Sequence, residues 1–280
     1  MDGLLTGALY ALIGMGLALI FGVMRIVNFA HGAFLMTGMY VTFVLFDKFK
    51  INPYLGFLPA GVLLFVFGIL VYAGLIRPIR NQSHFMQILM TTGIGLILID
   101  GAQLIFGADY RQTNIELVNK TLRFGPFTVN AAAALSFAIA AVFIVGLTLF
   151  VSKTLTGQAL RAIAQNPEVA SLMGINVARI QGLSFALGLG MAGVAGGLLL
   201  PALYLFPSVG EDYTTKAFVI VVLGGMGSIE GAALGGLLLG VTENLTSLYW
   251  GNKWALAVDF VLFLLVLSFR PGGLFGRQRA

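Results

Sequence analysis

AFVIVVLGGMGSIEGAALGGLLLGVTENLTSLY, residues 217–249, is thirty-three residues long without a basic side chain. As one helix it would extend about 50 Å at about 1.5 Å per residue, whereas bilayer hydrocarbon is about 30 Å thick. Its centre reads GGMGSIEG from Gly224 to Gly231. Glycine is a poor helix former, and a cluster of glycines with Glu230 interrupts a helix at membrane depth. The stretch therefore predicts a short descending piece to about Met226 and an ascending helix from about Ala232. How many times the chain crosses a membrane depends on this break.

The rest of the chain demands a bilayer. Of 280 residues, 59% are hydrophobic and only 10% charged, with a mean hydropathy of +0.97; soluble domains carry about 25% charge. Further apolar runs are Gly3–Met24, Phe29–Phe46, Tyr54–Ile76, Phe85–Phe106, Val129–Val151, Ile180–Phe206 and Trp254–Phe269. Phe29–Phe46 and Trp254–Phe269 are short for a span. The runs are continuously apolar rather than alternating, which excludes a β-barrel. The expected fold class is an all-α, polytopic membrane protein of about eight segments, some broken or re-entrant, forming one domain over residues 1–280.

The first run lacks a basic n-region and is followed at once by more apolar segments, so it is read as a span rather than a cleaved signal. There is no cysteine, which removes disulfide and thiolate chemistry. The net charge of +5 is scattered over the loops, suiting a membrane surface and no nucleic acid.

Placing the loop Ser152–Arg179 in the cytoplasm puts Arg25, Arg77 and Arg80 inside and the N-terminus outside. The break within 217–249 then returns Arg270, Arg277 and Arg279 to the inside. Nine basic residues fall inside against seven outside, in the direction of the positive-inside rule. Pro207–Lys216, with Glu211 and Asp212, reads as an outer loop.

The cytoplasmic loop predicts two short helices outside the bilayer. Thr156 caps the first, which runs to Gln165. Asn166, Pro167 and Glu168 are N-cap, first position and first-turn acid of the second, and Gly174 is its stop. Ala159, Ala162, Ile163, Ala170, Leu172 and Met173 supply apolar surface. Two readings follow: an interfacial linker packed on its own bundle, or a docking element for a soluble partner with Arg161 and Glu168 fixing register. No Gly-Lys dipeptide occurs, so no phosphate-binding loop is present.

The stretch GQALRAIAQNPEVASLMGIN, Gly157–Asn176, resembles the cytoplasmic coupling signature of bacterial ABC importer permeases for branched-chain amino acids. MRIVNFAHGAFLMTGMY (24–40) and VVLGGMGSIEGAALGGLLLG (221–240) resemble the LivH-type member of that family, and TGALYALIGMGLALIFG (6–22) fits the same pattern. The resemblance implies a non-enzymatic, multi-pass permease in a bacterial inner membrane. Its implied partners are a second, LivM-like permease subunit, two cytoplasmic ABC ATPase subunits and an extracytoplasmic substrate-binding protein. No cofactor is expected in this chain, ATP being hydrolysed by the partner subunits. The implied ATPase-coupling residues are Gly157, Gln158, Ala159, Leu160, Arg161, Ala162, Ile163, Ala164, Gln165, Asn166, Pro167, Glu168, Val169, Ala170, Ser171, Leu172, Met173, Gly174 and Ile175. Urea and short-amide permeases are similar to this type as well.

Asn28, His31 and Gly32 lie between two apolar segments. Three-residue spacing places Arg25, Asn28 and His31 on one face if helix continues there. Buried polar groups at this depth either satisfy backbone at a helix break or line a route; Asn28, His31, Gly32, Thr91 and Thr92 are the candidate gate or pathway residues. Met90, Thr91, Thr92, Gly93 and Gly95 form a small, polar patch that suits close helix packing or a cavity. Asp100, Glu243 and Asp259 are intramembrane carboxylates, paired structurally or functional. Gly188, Gly190 and Gly193 match a dinucleotide fingerprint, but no strand precedes them. Gly182, Ala186 and Gly190, and Gly193 with Gly197, instead predict tight helix packing.

Two other classes of function are open to such a chain. An ion-coupled secondary transporter would use those carboxylates and need no ATPase. An intramembrane enzyme would have to be built from His31 and His84 without cysteine. The coupling reading predicts alternating access through a mostly apolar, weakly binding route, in keeping with the lack of a convincing amino-acid site with a pair of opposite charges in the sequence.

Overall fold

The apolar runs become helices whose ends are set by local side chains. A computed structural model describes residues 2–113, 115–124, 127–270 and 272–275. Helices α1 (Asp2–Met24), α2 (His31–Phe49) and α3 (Pro53–Val71) come first. Helix α3 runs through a π turn, Tyr72–Ile76, into the single turn α4 (Arg77–Ile79). After α5 (His84–Phe106) come strands β1 (Thr121–Phe124) and β2 (Phe127–Asn130), then α6 (Ala131–Lys153). The short pair α7 (Leu155–Gln165) and α8 (Pro167–Leu172) precedes α9 (Val177–Leu199), α10 (Val209–Gly224), α11 (Ile229–Trp250) and α12 (Ala255–Phe269). Asn52, with Pro53 behind it, caps α3 by accepting from Tyr54 N at 2.9 Å. Asn130 caps α6 by accepting from Ala132 N at 2.9 Å.

Among the described residues, seven helical segments are long and apolar enough to cross a membrane, and α10 with α11 forms a further pair bent by 118°. This is the multi-pass helical architecture expected. The bend occupies Gly225–Ser228, where Gly225 (φ 99°) and Gly227 (φ 89°) take left-handed backbone that other residues resist. Ser228 then caps α11 through Gly231 N at 3.0 Å. Beyond α12, Leu274 N donates to Leu223 O at 2.8 Å, which ties the tail to the end of α10. Arg277 and Arg279 lie outside the described residues.

Helices α1 and α9 form the buried centre, while α5, α6 and α12 leave most of their residues less than fully buried. An apolar helix exposed in this way meets lipid or another membrane chain. Small residues bring the central helices together. A Cβ added to Gly193 would stand 2.8 Å from Ala60 O, and one on Gly197 2.6 Å from Phe57 Cα. On the other side, a Cβ on Gly7 of α1 would stand 2.9 Å from Leu237 Cα of α11. The glycines of 182–197 therefore serve close packing.

Two sequence expectations require correction. Helix α10 begins at Val209, so most of the expected outer loop Pro207–Lys216 is helical. Glu211 and Asp212 favour that helix as acids in its first turn. The all-α class holds, and the described residues add one short antiparallel strand pair, in which Thr121 pairs with Asn130 and Leu122 with Val129. The first coupling helix is capped by Thr154 rather than Thr156, its Oγ1 accepting from Gly157 N at 3.0 Å.

Candidate functional site

Helix α1 stops at Met24 because Arg25 turns left-handed, with φ 54°. Residues 25–30 are not helical, so Arg25, Asn28 and His31 do not share a helical face as their spacing allowed. Arg25 is exposed, whereas Asn28 and His31 are buried. Asn28 Oδ1 accepts from Ala30 N at 3.2 Å. His31 Nε2 donates to Ile13 O at 3.1 Å, reaching back into α1. A carbonyl only accepts, so that bond assigns the ring proton to Nε2. Thr91 on α5 is also buried, its hydroxyl 3.1 Å from Gln87 O and Ile88 O of its own helix and 3.3 Å from Val27 O at the break. Polar side chains thus serve the backbone where the helix ends.

The next residues open onto a groove. Gly32 N donates to Thr214 Oγ1 at 3.0 Å, and Gly32 packs on Gly210 so closely that neither position has room for a Cβ. Beside this seam of α2 and α10 lies a cleft of about 230 Å³. Phe29, Ala33, Thr92, Gly95, Leu96, Ile99, Glu211, Thr214, Thr215 and Phe218 line it. Thr92 faces the cleft, while its neighbour Thr91 is buried against the break. Thr214 and Thr215 also donate to Gly210 O (3.1 Å) and Glu211 O (3.3 Å). The cleft is thus apolar with satisfied hydroxyls, and Glu211 is its one charged side chain. A second cavity, of about 470 Å³ between α3, α6 and α9, is lined by apolar side chains and glycines throughout.

At the end of the bundle that carries Arg25, Arg77 and Arg80, α7 and α8 pack by one face. Leu160 and Ile163 of α7 and Ala170 of α8 are buried, and Gly157 lies against the Val151 backbone. Asn166 caps α8, accepting from Glu168 N (2.9 Å) and Val169 N (3.2 Å). Gly174 takes the left-handed stop conformation, with φ 82°. Of the apolar surface read from sequence, Ile163 and Ala170 face inward. Leu155 (83% exposed), Leu172 (85%), Met173 (79%) and Val169 stand outward. Arg161 and Glu168 are exposed too, and Arg161 donates to Ser152 O at 3.1 Å.

The intramembrane carboxylates have separate fates. Asp100 is exposed on α5. Glu243 accepts from Lys216 Nζ at 2.6 Å, and the same ammonium donates to Tyr10 OH at 2.6 Å. Lys216 and Glu243 thus form an ion pair between α10 and α11 that the sequence reading did not single out. Lys216 was missed because the sequence reading places it at the close of an outer loop, whereas helix surrounds it on both sides. Asp259 is buried, and neither carboxylate oxygen has a hydrogen-bond partner among the described residues. His31 and His84 gain no catalytic or metal-binding company: among the described residues no group of three or more His, Asp or Glu is placed to hold a metal ion.

A bundle of spanning helices, a weakly polar cleft beside a broken span and a capped helix pair outside it define a polytopic membrane permease. A family model described as branched-chain amino acid transport system / permease component matches residues 1–267. The chain belongs to that family. It is 33% identical to the high-affinity branched-chain amino acid transport system permease protein LivH of Escherichia coli (strain K12), over 99% of this chain and 94% of the relative. The corresponding BraD of Pseudomonas aeruginosa is also 33% identical, with the same coverage. LivM of Escherichia coli, a second permease protein, is 25% identical over 97% of this chain and 68% of its own. No solved structure matches.

Proposed function

We propose that this chain is one of two permease subunits of an ATP-driven, binding-protein-dependent importer of branched-chain amino acids in a bacterial inner membrane. A LivM-like chain supplies the other half, and two soluble ATPases dock on α7 and α8. The observation that carries this reading is the outward apolar set Leu155, Val169, Leu172 and Met173. These side chains sit on helices whose opposite face is already packed and whose caps are satisfied. Apolar patches on a structured, capped element mark a protein interface. Small motions of the ATPases enter through this pair, and α1 and α9, which the pair touches, carry them into the bundle.

The solute leaves along the cleft of α2, α5 and α10. Thr92, Thr214, Thr215, Phe29 and Phe218 give it a surface that wets a small zwitterion without retaining it, and selection rests with the binding protein. Asn28, His31 and Thr91 hold the break that shapes this wall, and Gly32 lets α10 approach it. The chain itself carries no cofactor. Proteoliposomes containing both permease subunits and the ATPases should take up leucine only with ATP and the binding protein. Uptake by the chain alone under a proton or sodium gradient would overturn the reading. Ligand screening of the co-purified binding protein separates branched-chain amino acids from urea or short amides.

A further inference from the structure

Four helices bring polar side chains to one layer at the end opposite α7 and α8. Tyr10, Lys216, Glu243 and Asp259 stand eight, seven, seven and four residues inside the ends of α1, α10, α11 and α12. At about 1.5 Å per residue they are about 6–12 Å deep. Lys216 is held by Glu243 and Tyr10 at 2.6 Å each, and its ammonium lies 4.7 Å from the Tyr10 ring centroid. Tyr213 closes the other side, 5.9 Å away.

The charges in this layer do not balance. Two carboxylates share one ammonium, and that ammonium is committed to Glu243. Among the described residues Glu243 Oε2 is buried without a partner, and so are both oxygens of Asp259, which is 2% exposed. Helix α12 packs on α10 and α11, which carry Lys216 and Glu243; Glu211 and Asp212 are exposed at the start of α10. A bare carboxylate in such a setting costs several kcal/mol, so it takes up a counter-charge. A partner protein's lysine or arginine cannot provide it, because Asp259 is closed in by its own chain. Lys216 and Glu243 retain 14% and 19% side-chain exposure, which gives a small ion a way in. A divalent ion is disfavoured by the adjacent ammonium and by the small number of oxygens.

We propose that Asp259 binds one monovalent cation, a proton or Na⁺, and that this ion completes the contact of α12 with α10 and α11. The site is independent of the ATPase-docking reading, since it would exist whether or not α7 and α8 meet a partner.

The test uses the full chain in lipid nanodiscs. Its thermal midpoint is measured over a pH series in NaCl and in choline chloride, for wild type and D259N. Labelling of Asp259 by dicyclohexylcarbodiimide, which attacks protonated buried carboxyls, is mapped by mass spectrometry under the same conditions. A bound ion stabilises by mass action. If Na⁺ is the occupant, NaCl raises the wild-type midpoint by several degrees and protects Asp259 from labelling. If a proton is the occupant, labelling is strong at low pH and Na⁺ changes neither measurement. In both cases D259N loses the dependence. A wild-type midpoint indifferent to pH and Na⁺ with no labelling of Asp259, or a dependence that survives in D259N, overturns the proposal. The labelling arm decides the matter on wild type alone should D259N fail to fold.

Discussion

The α7–α8 pair and the Lys216–Glu243–Asp259 layer lie at opposite ends of the bundle, and each reverses the usual partition of side chains. On α7 and α8, Leu155, Leu172 and Met173 stand in the open although Leu160 and Ile163 beside them are buried. In the layer, charged groups are buried where leucine would serve. Neither reversal is free. Exposed apolar area is unfavourable by about 25 cal/mol per Å², and a buried charge needs a partner of opposite sign. The difference lies in what relieves each one. The apolar surface needs something large that covers it from outside, whereas the charge layer is closed by its own chain and admits only something small.

The comparison is broken most forcefully at Lys216. Lys216→Met strands Glu243 and should destabilise the chain by about 3–5 kcal/mol, as expected on removing one member of a buried pair. The double variant Lys216→Met/Glu243→Leu should recover most of that loss, measured by thermal unfolding in nanodiscs. If the single variant is as stable as wild type, the layer is wetter than its burial says.

Gly32→Val comes next in size. It forces α2 away from Gly210 and should cost about 1–3 kcal/mol, as overpacking does. Uptake should fall with it, because the α2–α10 seam borders the cleft; undiminished uptake would detach the cleft from transport. Asn166→Ala is smaller, at about 1 kcal/mol for a lost N-cap. Its effect should be confined to α7 and α8, visible as faster hydrogen exchange in residues 167–173 with little change in global melting.

Sequence reasoning reached the fold where composition controls it. Length and continuous hydropathy fix most of the spans, and the glycines at 224–227 fix the bend, because bilayer thickness allows few other solutions. The Asn166–Pro167–Glu168 start of α8 was legible for a similar reason: capping is local chemistry. What the sequence concealed depends on partners distant along the chain. Lys216 looks like the edge of a loop until Glu243, twenty-seven residues on, is seen beside it. Thr91 and Thr92 are adjacent in sequence, yet one serves a helix break and the other lines the cleft. That division follows from which way α5 is rotated, and helix rotation is set by packing. The hairpin Thr121–Asn130 escaped notice because four-residue strands leave almost no periodic signal.

The central claim is that α7 and α8 present an apolar face to soluble ATPases, and one measurement addresses it directly. ATPase activity stimulated by the binding protein, and leucine uptake, are compared in the reconstituted complex for wild type and Leu172→Asp/Met173→Asp. Both side chains are largely exposed, so the variant chain should fold and insert normally. It should nevertheless fail to retain the ATPases on co-purification and lose uptake more than tenfold, which corresponds to more than about 1.4 kcal/mol of coupling. A variant that binds the ATPases and transports like wild type would contradict the account.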